Sequence, residues 1–164
     1  RDYGLTLPRI LQVDVARAVQ VLADETGKEL SSEQIHSVFV KEFIERTAPI
    51  EFITHTISHH TGVETLRAQI KVNGEPRVIE GSGNGPLSAF VHALNQSLGT
   101  KFSVAHYSEH DIHSDVTGED AQAACYVQVA HADHAPTYGV GIHENIVTAS
   151  LLAVVSGMNR SGVV

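Results

Sequence analysis

A predicted order of three strands followed by one helix occurs twice in this chain, and this repeat restricts the fold more than any other feature. The strands are predicted from alternating or β-branched residues at 51–58, 66–72 and 77–80, and again at 102–109, 122–130 and 137–140. The helices are predicted from apolar residues at helical spacing: Leu87, Phe90, Val91 and Leu94 in the first half, and Ile146, Leu151, Val154 and Val155 in the second. The repeat indicates an internal duplication of a βββα unit.

Glycine pairs stand between the last strand and the helix of each unit. Gly81-x-Gly83 and Gly139-x-Gly141 are 58 residues apart and are expected to occupy corresponding places. A glycine turn at a helix start presents free backbone N–H groups and the positive end of the helix dipole, which suits an anion. Residues 81–86 lack the Lys-Ser/Thr ending of a P-loop, so a carboxylate fits as well as a phosphate. Glycine used only for a tight turn and for close packing of helix on sheet is the alternative, and the sequence leaves both open.

Two amphipathic helices are predicted before the duplicated part. From Pro8 onward, apolar residues recur on one helical face until Gly27, a plausible stop. Ser31 and Gln34 then form a capping box at the start of the second helix. These helices either cover a core or dock onto another part of a parent protein.

The sequence therefore predicts an α+β fold in which two pseudo-symmetric βββα units follow two N-terminal linker helices. The helical subdomain is expected over residues 1–48 and the duplicated domain over 49–164, with units at about 49–98 and 100–160. Asn73-Gly74 predicts a type I′ hairpin turn inside the first unit. Two related halves readily pair with a copy of themselves, so a homodimer is expected.

Length and charge exclude several classes of protein. A chain of 164 residues is too short for a (β/α)8 barrel of about 250 residues. The formal net charge is −8 and the basic residues are scattered, which argues against nucleic acid as a partner. The sequence contains no apolar stretch of membrane-spanning length and no signal segment, so a cytoplasmic protein without a membrane partner is expected. Its start at Arg1 suggests a fragment of something longer.

Residues that could carry out chemistry are present, but their pattern does not define an active site. The densest histidine groups are His59-His60 and His110-Asp111-Ile112-His113, neither with an obvious third metal ligand. Residues 106–110 could supply acid and base groups, yet no nucleophile is evident. Cys125 lies in an alternating apolar run and is expected to be a buried core thiol. No catalytic, cofactor or metal-binding residue is assigned.

Residues 81–94, GSGNGPLSAFVHAL, resemble the C-terminal regulatory domain of 2-isopropylmalate synthase, of the longer, actinobacterial type. The similarity continues over nearly the whole chain, and Asp2-Tyr3-Gly4-Leu5 with Leu7-Pro8 resembles the linker region of that family. Its further motifs are Tyr107-Ser108-Glu109-His110, Asp120-Ala121-Gln122-Ala123, Gly139-Val140-Gly141, Thr148-Ala149-Ser150-Leu151 and Asn159-Arg160.

The resemblance implies an acyltransferase parent that condenses acetyl-CoA with 2-oxoisovalerate in a metal-dependent barrel. That barrel and its divalent metal lie outside this chain, which is expected to be inactive alone and to need no cofactor. Residues 49–164 would be the regulatory domain, which binds L-leucine at a dimer interface for feedback inhibition of leucine biosynthesis. Its partners would be a second copy, leucine and the barrel of the same parent chain.

Carried over position by position, the resemblance implies seven leucine-binding residues. Ser88 and Asp111 are polar where small apolar residues are expected in the family. The apolar members would hold the isobutyl group, turn N–H groups the carboxylate, and an acidic or carbonyl oxygen the ammonium. The seven residues are Asn84, Leu87, Ser88, Val104, Tyr107, Asp111 and Ile146.

Three other functions remain open from the sequence. The equivalent domain of citramalate synthase is similar but responds to isoleucine. A free-standing metal-dependent hydrolase would show turnover or bound zinc. A purely structural dimerisation module would be indifferent to amino acids.

Overall fold

The computed structural model describes residues 4–112 and 121–164. Asp2, Tyr3, His113 and Asp120, which belong to motifs named above, lie outside the described residues. The helices are α1 (Arg9–Thr26), α2 (Ser32–Phe39, continued by a π-helical turn over Val40–Ile44), α3 (Pro86–Leu98) and α4 (Ile146–Ser161). The strands are β1 (Ile50–His60), β2 (Val63–Val72), β3 (Glu75–Gly83), β4 (Ser103–Ile112), β5 (Gln122–His131) and β6 (His134–His143). The α+β class and the two βββα units are confirmed.

The six strands form two antiparallel sheets, with order β1-β2-β3 in the first and β4-β5-β6 in the second. The predicted type I′ turn joins β2 to β3, because Asn73 and Gly74 both have positive φ, 53° and 83°. The first strand of each sheet contains one irregularity in its pairing, at Ile53 in β1 and at Ala105 in β4. The two units therefore match even in the position of a bulge.

One hydrophobic core joins the two units. Leu66, Ala68 and Ile70 of β2 pack under α3, and the inward residues of β5, Cys125, Val127 and Val129, pack under α4. The helices α3 and α4 also contact each other. The predicted burial of Cys125 is confirmed, since its side chain is fully enclosed.

The N-terminal helices cover the opposite face of the second sheet. Leu11 and Val15 of α1 and Phe43 of the π-helical turn share a core with Tyr126 and Val140 of β5 and β6. Both sequence signals for these helices are confirmed: Gly27 ends α1 in the left-handed conformation, and the capping box at Ser31 is formed. The second sheet is thus packed on both faces, whereas Arg67, Gln69 and Glu80 on the outer face of the first sheet are exposed.

The predicted correspondence of the glycine pairs is wrong by two residues. A Cβ atom on Gly81 would meet Ala89 and Ala93 of α3, and one on Gly141 would meet Ala149 and Ala153 of α4. Gly81 therefore corresponds to Gly141, 60 residues apart, because Pro86 and Ile146 at the helix starts have the same separation. The third strand of the second unit, predicted over 137–140, also extends over His134–His143.

Candidate functional site

The glycines lie inside strands rather than in turns. The third strand of the first unit continues through Gly83, and the turn before α3 consists of Asn84 and Gly85. A Cβ on Gly81 would be 2.5 Å from the Ala89 carbonyl oxygen and 2.6 Å from the Ala93 nitrogen. These glycines serve close packing of helix on sheet, one of the two alternatives left open by the sequence.

A cleft of about 560 Å³ lies between α3 and the beginning of β4. At the helix start, Pro86 occupies a position where its missing N–H costs nothing, and Gly85 is the N-cap residue. The Ala89 N–H bonds back to the Gly85 carbonyl at 3.0 Å, so the N–H groups before it point out of the helix start. The lining residues are Asn84, Gly85, Pro86, Leu87, Ser88, Val91, His92, Asn95, Phe102, Ser103 and Val104.

Four of the seven predicted site residues line this cleft: Asn84, Leu87, Ser88 and Val104. The Asn95 side chain fixes the opposite wall, since it accepts from the Phe102 N–H and donates to the Phe102 carbonyl, both at 2.9 Å. The cleft thus has an apolar floor, a polar rim and a helix start at one end.

The other three predicted residues lie further along β4. Tyr107 is opposite Val127 and Asp111 is opposite Ala123, so both belong to the face of the second sheet that carries α4. Tyr107 and Ile146 are 43% and 42% exposed, and Asp111 is exposed. The seven residues therefore form two groups on the helix side of β4, and this chain alone does not gather them into one enclosed pocket.

Hydrogen bonds connect Tyr107 to the start of α4. The Tyr107 hydroxyl donates to the Glu109 carboxylate, and the Cys125 sulfur lies 3.7 Å from the same hydroxyl oxygen. The Cys125 thiol in turn donates to the Ile146 carbonyl at 3.7 Å. Burial, followed by the bond to Glu109, raises the pKa of Tyr107 well above its usual range. Burial also raises the pKa of Cys125, so the thiol stays protonated and is a poor nucleophile near neutral pH.

Sequence reasoning missed several residues of the site. Val91 lies four positions after Leu87, and this helical spacing could have placed it on the same face. Glu109 and Cys125 could not be linked to Tyr107 without the register of β4 against β5. Phe102 precedes β4 and reaches the cleft only because Asn95 holds its backbone.

The described part of the chain contains no group of three or more His, Cys, Asp or Glu side chains placed to hold a metal ion. His59 of the first histidine group is 3.6 Å from Glu64 across the hairpin. His110 of the second group makes structural hydrogen bonds that are described below. None of the four helices within residues 4–112 and 121–164 is long and apolar enough to cross a membrane.

Two βββα units around a shared core, with a cleft of small-molecule size between them, define a ligand-binding type of α+β domain. The chain belongs to the family described as the LeuA allosteric (dimerisation) domain, whose model matches residues 29–161. It is a regulatory, dimerisation-type domain, as the sequence resemblance predicted.

Similar proteins carry the name 2-isopropylmalate synthase. The one from Paraburkholderia phytofirmans is 41% identical over 162 residues, which are 98% of this chain and 27% of that enzyme. The one from Brucella melitensis is 45% identical over 163 residues, 97% of this chain and 29% of that enzyme. The one from Mycobacterium leprae is 40% identical over 163 residues, 98% of this chain and 26% of that enzyme. The chain thus spans just over a quarter of the length of these relatives.

Proposed function

We propose that this chain is the effector-binding regulatory domain of a 2-isopropylmalate synthase and that L-leucine is its effector. The parent would condense acetyl-CoA with 2-oxoisovalerate in a cytoplasmic, metal-dependent barrel, and leucine bound here would inhibit it. The chain by itself would be catalytically inactive. The observation that carries the proposal is the cleft between α3 and β4.

The cleft suits an amino acid with a branched apolar side chain. Its volume of about 560 Å³ falls in the usual range of about 300–1,000 Å³ for small-molecule sites. Leu87, Val91 and Val104 offer an apolar surface for an isobutyl group, and the N–H groups at the start of α3 would take the carboxylate. The Asn84 side-chain oxygen is available at the rim for the ammonium group.

We further propose that a second copy completes the site. Neither α3 nor α4 covers the helix-side face of the first strand in its own sheet, as far as the described residues show. Ile57 on β1 is 38% exposed, and Tyr107 on β4 faces the same side of its sheet. A partner copy packed on this face would bury these side chains and bring Tyr107, Asp111 and Ile146 into an enclosed interface.

The test is calorimetric titration of the purified chain with leucine, and with isoleucine and valine for comparison. Leu87→Ala removes an apolar wall of the cleft and is expected to weaken leucine binding about tenfold, the effect of about 1.4 kcal/mol. Val147→Ala is the matched control, because Val147 occupies the corresponding position, 60 residues later, at the start of α4.

Selective, saturable leucine binding that Leu87→Ala weakens and Val147→Ala leaves unchanged would support the proposal. Preference for isoleucine would instead indicate a citramalate synthase type of sensor. A folded dimer that binds none of the three amino acids would contradict the effector site and leave a structural dimerisation module.

A further inference from the structure

The fourth strand has different partners on its two faces. Tyr107 and Asp111, both part of the proposed effector site, point to the side of α4. His110, between them and Ile112, points to the opposite side, where residues 4–8 cross the sheet. One strand therefore contacts both the proposed ligand site and the segment that leads into α1.

His110 connects residues 4–8 to the sheet through both ring nitrogens. Its Nε2 atom is 3.1 Å from the Thr6 backbone nitrogen and 2.7 Å from the Tyr126 hydroxyl oxygen. Because the Thr6 N–H can only donate, Nε2 must be the unprotonated acceptor nitrogen of a neutral ring. The proton then lies on Nδ1, which is 3.1 Å from the Asp111 carbonyl oxygen and can donate to it.

Packing holds the same segment from both sides of Thr6. Leu5 and Leu7 lie in the hydrophobic cluster beneath α1, together with Tyr126. The His110 and Tyr126 rings stack at 5.4 Å with an interplanar angle of 26°. Burial raises the pKa of Tyr126 to about 12, so its hydroxyl remains a donor to His110.

We propose that His110 is a positioning residue that transmits effector binding on one face of β4 to residues 4–8 on the other. The inference rests on the proposed effector site. A ligand that shifts the Asp111 peptide would move the acceptor of the Nδ1 bond and thereby the ring whose Nε2 atom holds the Thr6 N–H. The strand can shift because β4 is an edge strand that pairs only with β5 in its sheet.

In the proposed parent enzyme, the catalytic barrel precedes this domain, so residues 4–8 are the connection between them. A change in the grip on Thr6 would then alter how the helical segment and the barrel are held relative to the sensor. Allosteric coupling requires such an element with two arrangements that both sites can bias.

The experiment compares three variants of the full-length parent protein. His110→Phe keeps an aromatic ring to stack on Tyr126 but removes both nitrogens, and Tyr126→Phe removes only the hydroxyl. His106→Phe is the matched control, because His106 is an exposed histidine on the same face of β4, four residues earlier. The readouts are leucine affinity by calorimetry, the leucine concentration for half-inhibition of acyl transfer, and hydrogen exchange at the Thr6 amide.

We expect His110→Phe to bind leucine within about threefold of the unmodified protein yet to need about tenfold more leucine for half-inhibition, within the usual range of coupling energies. Tyr126→Phe should change half-inhibition in the same direction, and His106→Phe should change nothing. In the unmodified protein, leucine should change exchange at the Thr6 amide, and His110→Phe should abolish that response.

Half-inhibition unchanged in His110→Phe would overturn this inference while leaving the effector site intact. Affinity and inhibition lost in parallel would also overturn it, since His110 would then only stabilise the fold. Failure of the unmodified protein to bind leucine would instead contradict the proposed function, and this inference with it.

Discussion

At the scale of single residues, the closing Asn159-Arg160 pair connects the helical part of the chain to the sheets. The buried Asn159 side chain accepts from the Ile50 N–H at 3.0 Å and donates to the carbonyls of Arg46 and Ile50 at 2.6 and 2.8 Å. Arg160 lies 3.8 Å above the centre of the Phe43 ring and donates to the Tyr138 carbonyl at 2.8 Å. This part of the family resemblance therefore reflects a structural connection and not a ligand contact.

Asn159→Asp should destabilise the domain by at least about 3 kcal/mol. The substitution conserves shape but replaces two donated hydrogen bonds by a buried carboxylate facing two carbonyl oxygens. Urea denaturation near neutral pH measures the loss. Asn73→Asp, at an exposed turn, is the control and should change stability little; equal effects at both positions would show that the Asn159 bonds contribute nothing special.

Gly81→Ala should also be severe, because the new Cβ would meet backbone atoms of α3 that cannot move independently of the helix. We expect a loss of about 1–3 kcal/mol, the usual range for overpacking. Gly85→Ala provides the comparison, since nothing lies within 4 Å of its added Cβ and its φ of −170° suits any residue. Thermal unfolding followed by circular dichroism distinguishes them, and similar melting temperatures would contradict the packing role of Gly81.

At the scale of elements, local signals were readable and long-range ones were not. The capping box of α2, the end of α1 at Gly27 and the hairpin at Asn73-Gly74 were all predicted, because each depends on neighbours in sequence. The correspondence of the glycines was misjudged, because it depends on which helix turn meets which strand residue. The grouping of Leu87 with Val104 likewise depends on how α3 lies against β4, which no local pattern specifies.

Ser31→Ala tests the contribution of the capping box. The Ser31 hydroxyl oxygen accepts from the Gln34 N–H at 3.2 Å, and the substitution should cost about 1 kcal/mol. Ser37→Ala, at an exposed position inside the same helix, should be neutral or slightly stabilising because alanine favours helix. Chemical denaturation of both variants checks the difference, which disappears if the box is unimportant.

At the scale of the whole molecule, the proposed dimer should depend on the helix-side face of β1. Ile57→Lys places a charge on that face, opposite Leu66, and should weaken self-association by about tenfold or more. Val78→Lys is the matched control, because Val78 is also exposed but pairs with Gln69 on the other face of the sheet. Sedimentation at several concentrations measures both, and equal association of the two variants would place the interface elsewhere.

The unequal covering of the two sheets implies that the domain does not open uniformly. The fifth strand is enclosed by α4 on one side and by the N-terminal helices on the other, while the first sheet is enclosed by α3 on one side. Amide protons of β5 should therefore exchange only through global unfolding, and those of β1 through smaller, cheaper fluctuations. A ligand seated between the units would quiet the softer half most, so the duplicated domain can carry a signal as a change in flexibility as well as in shape.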